Sequence, residues 1–202
     1  MKITSIKQQI KQTGRYSIYV EGKYAFSLSA DALIDSKLTN GQELSENEVR
    51  EYKQQSTDDK LYNLTLRYIA IRPRSKWEIK TYLERKNASP TLLTEILNKL
   101  SKIELINDQK FAQAYVSDRR LLRPTSRRKM ILELRKKHVA DEVIHKVVGG
   151  ELGQSEDFTA LKEIIERKRT QTRYKDELKL MQYLSRQGFS YGDIKAALQD
   201  NE

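Results

Sequence analysis

Arg72-Pro73-Arg74-Ser75 returns fifty-one residues later as Arg123-Pro124-Thr125-Ser126, and the match continues for about twenty positions beyond each copy. At the same offset Ile79 pairs with Met130, Leu83 with Leu134, Lys86 with Lys137, Leu92 with Val143, Leu93 with Ile144 and Ile96 with Val147. A third, weaker copy lies fifty residues further on, where Leu180, Leu184, Arg186, Ile194 and Ala197 occupy the places of Met130, Leu134, Lys136, Ile144 and Val147. Self-similarity at such a period marks stacked helical units, each of which needs neighbours to bury its apolar face. The chain is therefore expected to be mainly α, an elongated array of tandem three-helix repeats. Arrays of this kind bind extended partners more readily than they catalyse.

Punctuation along the chain sets the expected divisions. Residues 1–57 form an N-terminal segment that begins with strands. Ile3–Gln9 reads as one strand, and Tyr16–Val20 and Lys23–Leu28 form a hairpin about Glu21-Gly22, a two-residue turn signal. Ser29 caps a short helix to about Lys37, and Ser45-Glu46-Asn47-Glu48 is a capping box that opens a helix to about Gln55. Residues 58–106 make the first repeat. Its first helix starts at Asp58-Asp59, where carboxylates favour the dipole, and ends where Pro73 forces Arg72 out of helical geometry. Ser75-Lys76-Trp77-Glu78 is a second capping box, and Ser89-Pro90 opens the third helix. Residues 107–150 repeat this pattern with Asn107-Asp108, Ser126 and Asp141, closing at Gly149-Gly150. Residues 151–202 form the third repeat, with a middle helix over Tyr174–Gln187 and a last helix capped by Ser190. Each middle helix ends on an aligned residue, Asn87, His138 or Gly188, and all three types tolerate the left-handed conformation that commonly stops a helix. His138 is thereby a backbone element rather than a ligand or base.

Charge is concentrated. Residues 1–57 carry 8 basic and 7 acidic side chains, net +1, and residues 58–106 carry 10 and 6, net +4. Residues 107–150 carry 11 and 5, net +6, while residues 151–202 carry 9 and 10, net −1. A localised basic field points to a polyanion or an acidic protein surface as partner. Its centre is the run Arg119, Arg120, Arg123, Arg127, Arg128, Lys129, Arg135, Lys136 and Lys137. On a helix from 127 to 137, Met130, Ile131 and Leu134 face inward, which leaves Arg127, Arg128 and Arg135 to point outward together. The run is read as a contact for DNA or an acidic protein, against the plainer reading of a solvated face. Arg72 and Arg74 flank Pro73 at a corner, where they either bond the free carbonyls of the preceding helix or reach a partner. Trp77, at the first turn of its helix, is expected in the core, with base stacking as the alternative.

Several chemistries have no support. The chain lacks cysteine, which removes disulfides, thiolate metal sites and a thiol nucleophile. No Gly-rich phosphate loop is present, and His138 and His145 lack a matching third ligand for zinc. No apolar run approaches the ~18 residues of a membrane span, and Met1-Lys2-Ile3-Thr4 does not begin a signal-peptide core. A soluble cytoplasmic protein, not an enzyme, without metal or cofactor and without membrane contact, is expected.

Tyr62…Leu66-Arg67-Tyr68…Arg72-Pro73-Arg74-Ser75…Glu78…Leu83…Lys86, then Leu105-Ile106-Asn107-Asp108…Phe111-Ala112…Tyr115-Val116…Arg119, then Glu133-Leu134…Lys137, resembles the bacterial regulatory protein RecX family. The resemblance spans residues 58–198 and is most specific over 62–139. Asn87 and His138 depart from the glycine common there, as Pro124-Thr125 departs from a Gly-richer stretch. The resemblance implies an elongated helical protein that binds the RecA recombinase filament, lodges in its groove and modulates, by inhibition, its ATPase, strand-exchange and coprotease activities; a monomer is expected. Roles in DNA recombination, repair and the SOS response follow from it, with weak, non-specific contact to single- or double-stranded DNA. The rival reading is a helix-turn-helix DNA-binding protein acting directly on DNA, since three short helices per unit also suit that motif.

Overall fold

The computed structural model describes residues 1–149 and 153–200. Strands β1 (Ile3–Gln8), β2 (Arg15–Val20) and β3 (Lys23–Ser29) form an antiparallel sheet in the order β1-β2-β3. Ten α-helices follow among the described residues: α1 (Ala30–Ser36), α2 (Glu46–Ile71), α3 (Lys76–Arg85), α4 (Pro90–Lys102), α5 (Asp108–Leu122), α6 (Arg127–Lys136), α7 (Asp141–Val148), α8 (Gly153–Arg169), α9 (Glu177–Arg186) and α10 (Tyr191–Gln199). The chain divides into two compact units, one of residues 1–72 with 80–99, the other of residues 73–79 with the chain from Leu100 onward.

In the first unit the hairpin turns on Glu21 and Gly22, both at positive φ (49° and 77°), as a right-twisted two-residue connection requires. Ile3, Ile18, Val20, Phe26 and Leu28 alternate onto one face of the sheet and are buried with Leu38, Leu44 and Val49. Phe26 stacks on Tyr52 of α2 at 5.4 Å. The capping box at Ser45 forms as expected, with the Glu48 N–H donating to Ser45 Oγ and the Ser45 N–H to Glu48.

Helix α2 replaces the two helices expected on either side of residues 55–58. It runs unbroken for 26 residues, because no Gly, Pro or cap interrupts it and Asp58-Asp59 lie within it. Asp59 is not a helix-start carboxylate. Its Oδ2 accepts from Arg15 Nη1 at 2.7 Å and from the Ser29 N–H at 3.0 Å, and its Oδ1 accepts from Ser29 Oγ. The same guanidinium donates to the Ser27 carbonyl oxygen, so a nearly buried ion pair ties α2 to the sheet. Arg72 ends the helix in extended geometry (φ −163°) before Pro73.

The second unit holds two further three-helix sets, α5–α7 and α8–α10. Phe111, Ala112, Val116, Met130, Leu134, Val139, Ile144 and Val148 form the core of one. Leu161, Ile164, Ile165, Leu180, Leu184, Phe189, Ile194, Ala197 and Leu198 form that of the other. The aligned pairs Met130/Leu180, Leu134/Leu184 and Ile144/Ile194 are buried in both. Asn87, His138 and Gly188 lie at φ 58°, 55° and 90°, so the left-handed stop recurs at every expected corner. The third middle helix begins later than the sequence pattern indicated: Thr172–Tyr174 is a short 3-10 turn, and Asp176 caps α9 by accepting from the Lys179 N–H. Asp176 thus stands where Ser75 and Ser126 stand in the other copies. Gly150, expected to close the second repeat, lies outside the described residues.

Candidate functional site

The basic run lies on the end of α5, the corner after it, and α6, and the structure sorts its cations into two groups. One group is committed inside the molecule. Arg119 pairs with Glu133, its Nε donating to Oε2 at 2.8 Å, and Tyr115 Oη donates to the same carboxylate oxygen. That hydrogen bond to Glu133 holds the Arg119 guanidinium above its already high range, while burial, then Glu133, pushes the Tyr115 phenol up. Lys129 Nζ donates to Gln187 Oε1 (2.9 Å) and to the Arg186 carbonyl oxygen (3.2 Å). Lys137 Nζ bonds Glu78 Oε1 at 2.6 Å, where the carboxylate side chain is only 7 % exposed. Arg135 meets Asp141 at 2.8 Å on the open surface; its hydrogen bond holds the Asp141 carboxyl below the usual range, though an exposed pair of this kind stabilises little.

The other group faces outward. Arg123, Arg128 and Lys136 are exposed and form no ion pair among the described residues. On α6, Arg128, Leu132, Arg135 and Lys136 are spaced at seven, four and three residues and so share one face, with Leu132 half exposed at its centre. Arg127 is half-buried, with its backbone N–H committed to Asp157. Arg120 and Arg72 are exposed and Arg74 half-buried; all three take part in contacts within the chain, so the corner arginines are not simply free. Met130 and Leu134 face inward as expected.

What the sequence pattern missed is how the committed cations are used. The turn 75–78 docks on the second repeat, and the turn 126–129 docks on the third, by the same contacts. The Lys76 N–H donates to Asp108 Oδ1 at 2.8 Å, and its counterpart fifty-one positions on, the Arg127 N–H, donates to Asp157 Oδ1 at 2.8 Å. Glu78 and Lys129 are aligned, and so are their partners Lys137 and Gln187. Next to them the left-handed residue packs on the helix start. His138 stacks on Trp77 with ring centroids 4.7 Å apart, while Gly188 approaches so closely that an added Cβ would overlap Ser126 Oγ. Trp77, expected in the core, is 36 % exposed; its first-turn position faces the neighbouring corner rather than the interior. The signal was available in the offsets, since 76/127, 78/129 and 137/187 repeat, but nothing local says that those positions meet.

Among the described residues no group of three His, Cys, Asp or Glu side chains is placed to hold a metal ion, and no helix is long and apolar enough to cross a membrane.

Comparison with known proteins covers most of the chain. Models of the regulatory protein RecX N-terminal domain and of the first, second and third RecX three-helix domains match residues 1–45, 62–100, 107–148 and 155–198. The chain is 31% identical to the regulatory protein RecX of Bacillus subtilis (strain 168), over 99% of its length and 77% of that protein. It is 32% identical to the regulatory protein RecX of Listeria welshimeri over 98% of its length and 74% of the relative. A crystal structure of a regulatory protein RecX superposes with a TM-score of 0.69 at 28% identity, covering 96% of this chain and 98% of that one. RecX from Lactobacillus salivarius, at 24% identity and a TM-score of 0.58 over 71% of this chain and 96% of its own, shares the fold.

Proposed function

This chain belongs to the regulatory protein RecX family, and on that premise we propose that it regulates the RecA recombinase by binding the RecA filament on DNA and restraining its ATP hydrolysis, strand exchange and coprotease activity. The observation that carries the reading is the division of the basic run. Lys129 and Lys137 bind neighbouring repeats together, while Arg123, Arg128 and Lys136 remain outside as a cationic face on a braced support. Arg forks onto carboxylate or phosphate and Lys supplies a compact charge, so one such face serves both an acidic protein wall and the DNA backbone. A body that touches two neighbouring filament subunits favours the one arrangement it fits, and by that preference opposes the changes that accompany hydrolysis. No cofactor, metal or covalent step enters, and the protein acts in the cytoplasm as a monomer.

Titration into RecA turning over ATP on single-stranded DNA tests this, with binding to the same bare DNA followed in parallel. Inhibition well below the concentration that coats bare DNA supports action on the filament. Inhibition only when the DNA is coated supports the direct DNA-binder, which should also prefer one duplex sequence strongly over others. A filament regulator should bind bare DNA weakly, with steep salt dependence and little preference.

A further inference from the structure

We propose that the Trp77–His138 stack is a platform for an unpaired base of single-stranded DNA. Trp77 is the chain's only tryptophan. Its indole lies against the His138 ring at 4.7 Å with 23° between planes, and both residues keep exposed surface, Trp77 at 36 %. The pair therefore stands at the surface rather than in the core. Its orientation is fixed from both sides. His138 is held at φ 55° by the helix stop, and the flanking residues Glu78 and Lys137 clamp the two turns together at 2.6 Å. A base meeting rings already in place loses little further freedom on stacking.

The surroundings select the ligand. Lys136 is exposed two residues before His138, Lys76 is exposed beside Trp77, and Lys136 belongs to the outward face of α6. Aromatic surface interleaved with cations is what a single strand recognises: phosphates run along the charges while an unstacked base covers the ring. Duplex bases are already stacked on one another and offer no free face. The aligned positions in the next repeat are Arg128 and Gly188, with Gly188 packed on Ser126 and Lys129, so the ring pair occurs once at these two docking turns. The inference rests on the DNA contact in the proposed function and is independent of the recombinase.

The sole tryptophan supplies the readout. The full chain is titrated with a labelled oligo-dT at low salt, with anisotropy reporting binding and indole emission reporting stacking. Emission is expected to fall by about half or more in step with binding, and a duplex of equal length should bind with little quenching. Trp77→Ala should weaken oligo-dT binding about tenfold, and Trp77→Phe, which keeps a flat ring in the packing, should restore most of it. Unchanged emission on a bound single strand overturns the proposal, as does equal quenching by the duplex or full affinity in folded Trp77→Ala. Any of these leaves the ATPase test of recombinase regulation standing.

Discussion

Where the turn at Ser75 docks, a carboxylate meets an ammonium and an imidazole lies on an indole. Where the turn at Ser126 docks, on the aligned positions, an ammonium meets an amide and a glycine takes the place of the ring. The geometry is shared; the chemistry is not. Common to both are backbone features: a capping serine, a following N–H aimed at an aspartate, and a left-handed residue at the corner. These fix how each turn docks, and the side chains that fill the contact can then vary as long as donors face acceptors. At Ser75 that freedom produces an exposed aromatic pair, and at Ser126 a close approach that only glycine permits.

The largest difference should appear at the corner residue. Gly188→Ala combines a left-handed backbone with a Cβ driven into Ser126 Oγ, and should cost about 2–4 kcal/mol in chemical denaturation. His138→Gly at the matching corner relieves backbone strain and loses one ring contact, so its net effect should stay within about 1 kcal/mol. Equal costs at the two corners would mean that the close approach at Gly188 does not distinguish them.

The next effect is on the paired side chains. Lys137→Ala removes the salt bridge to the nearly buried Glu78 carboxylate, which keeps the Ser75 N–H and further contacts within the chain, and should destabilise by about 1–2 kcal/mol. Gln187→Ala leaves Lys129 with the Arg186 carbonyl and open solvent, and should cost less than about 1 kcal/mol. Similar losses would show that the ion pair and the amide contact are energetically alike. At the small end, Arg135→Ala removes an exposed pair with Asp141 and should change stability by less than about 0.5 kcal/mol.

Much of this architecture was legible in the sequence, and the reason is local. Capping boxes at Ser45 and Ser75, the Pro73 stop, the Glu21-Gly22 hairpin and the corners at Asn87, His138 and Gly188 are decided within a few residues of chain. One failure is local, the Asp176 cap that starts α9 later than expected; the others are long-range. Asp58-Asp59 looked like a helix start because the partner that explains Asp59, Arg15, lies 44 positions away. Trp77 looked like core because its amphipathic helix is visible and His138 against it is not. The basic run did not show which of its lysines are committed inside, because Lys129 and Lys137 find their partners 58 and 59 positions off. Charge reversal at Arg127, Arg128 and Lys129 would thus disturb a docking turn as well as a surface.

The decisive measurement separates outward from inward cations. RecA's ATP hydrolysis on single-stranded DNA is followed as wild-type protein or the Arg123→Glu/Arg128→Glu/Lys136→Glu variant is added, with circular dichroism and denaturation confirming that the variant keeps its fold. The variant should need at least about tenfold more protein for equal inhibition, since three contacts each lose on the order of 0.5–1 kcal/mol or more and reverse sign. Inhibition of equal potency by the folded variant would contradict the assignment of the outward face as the contact surface.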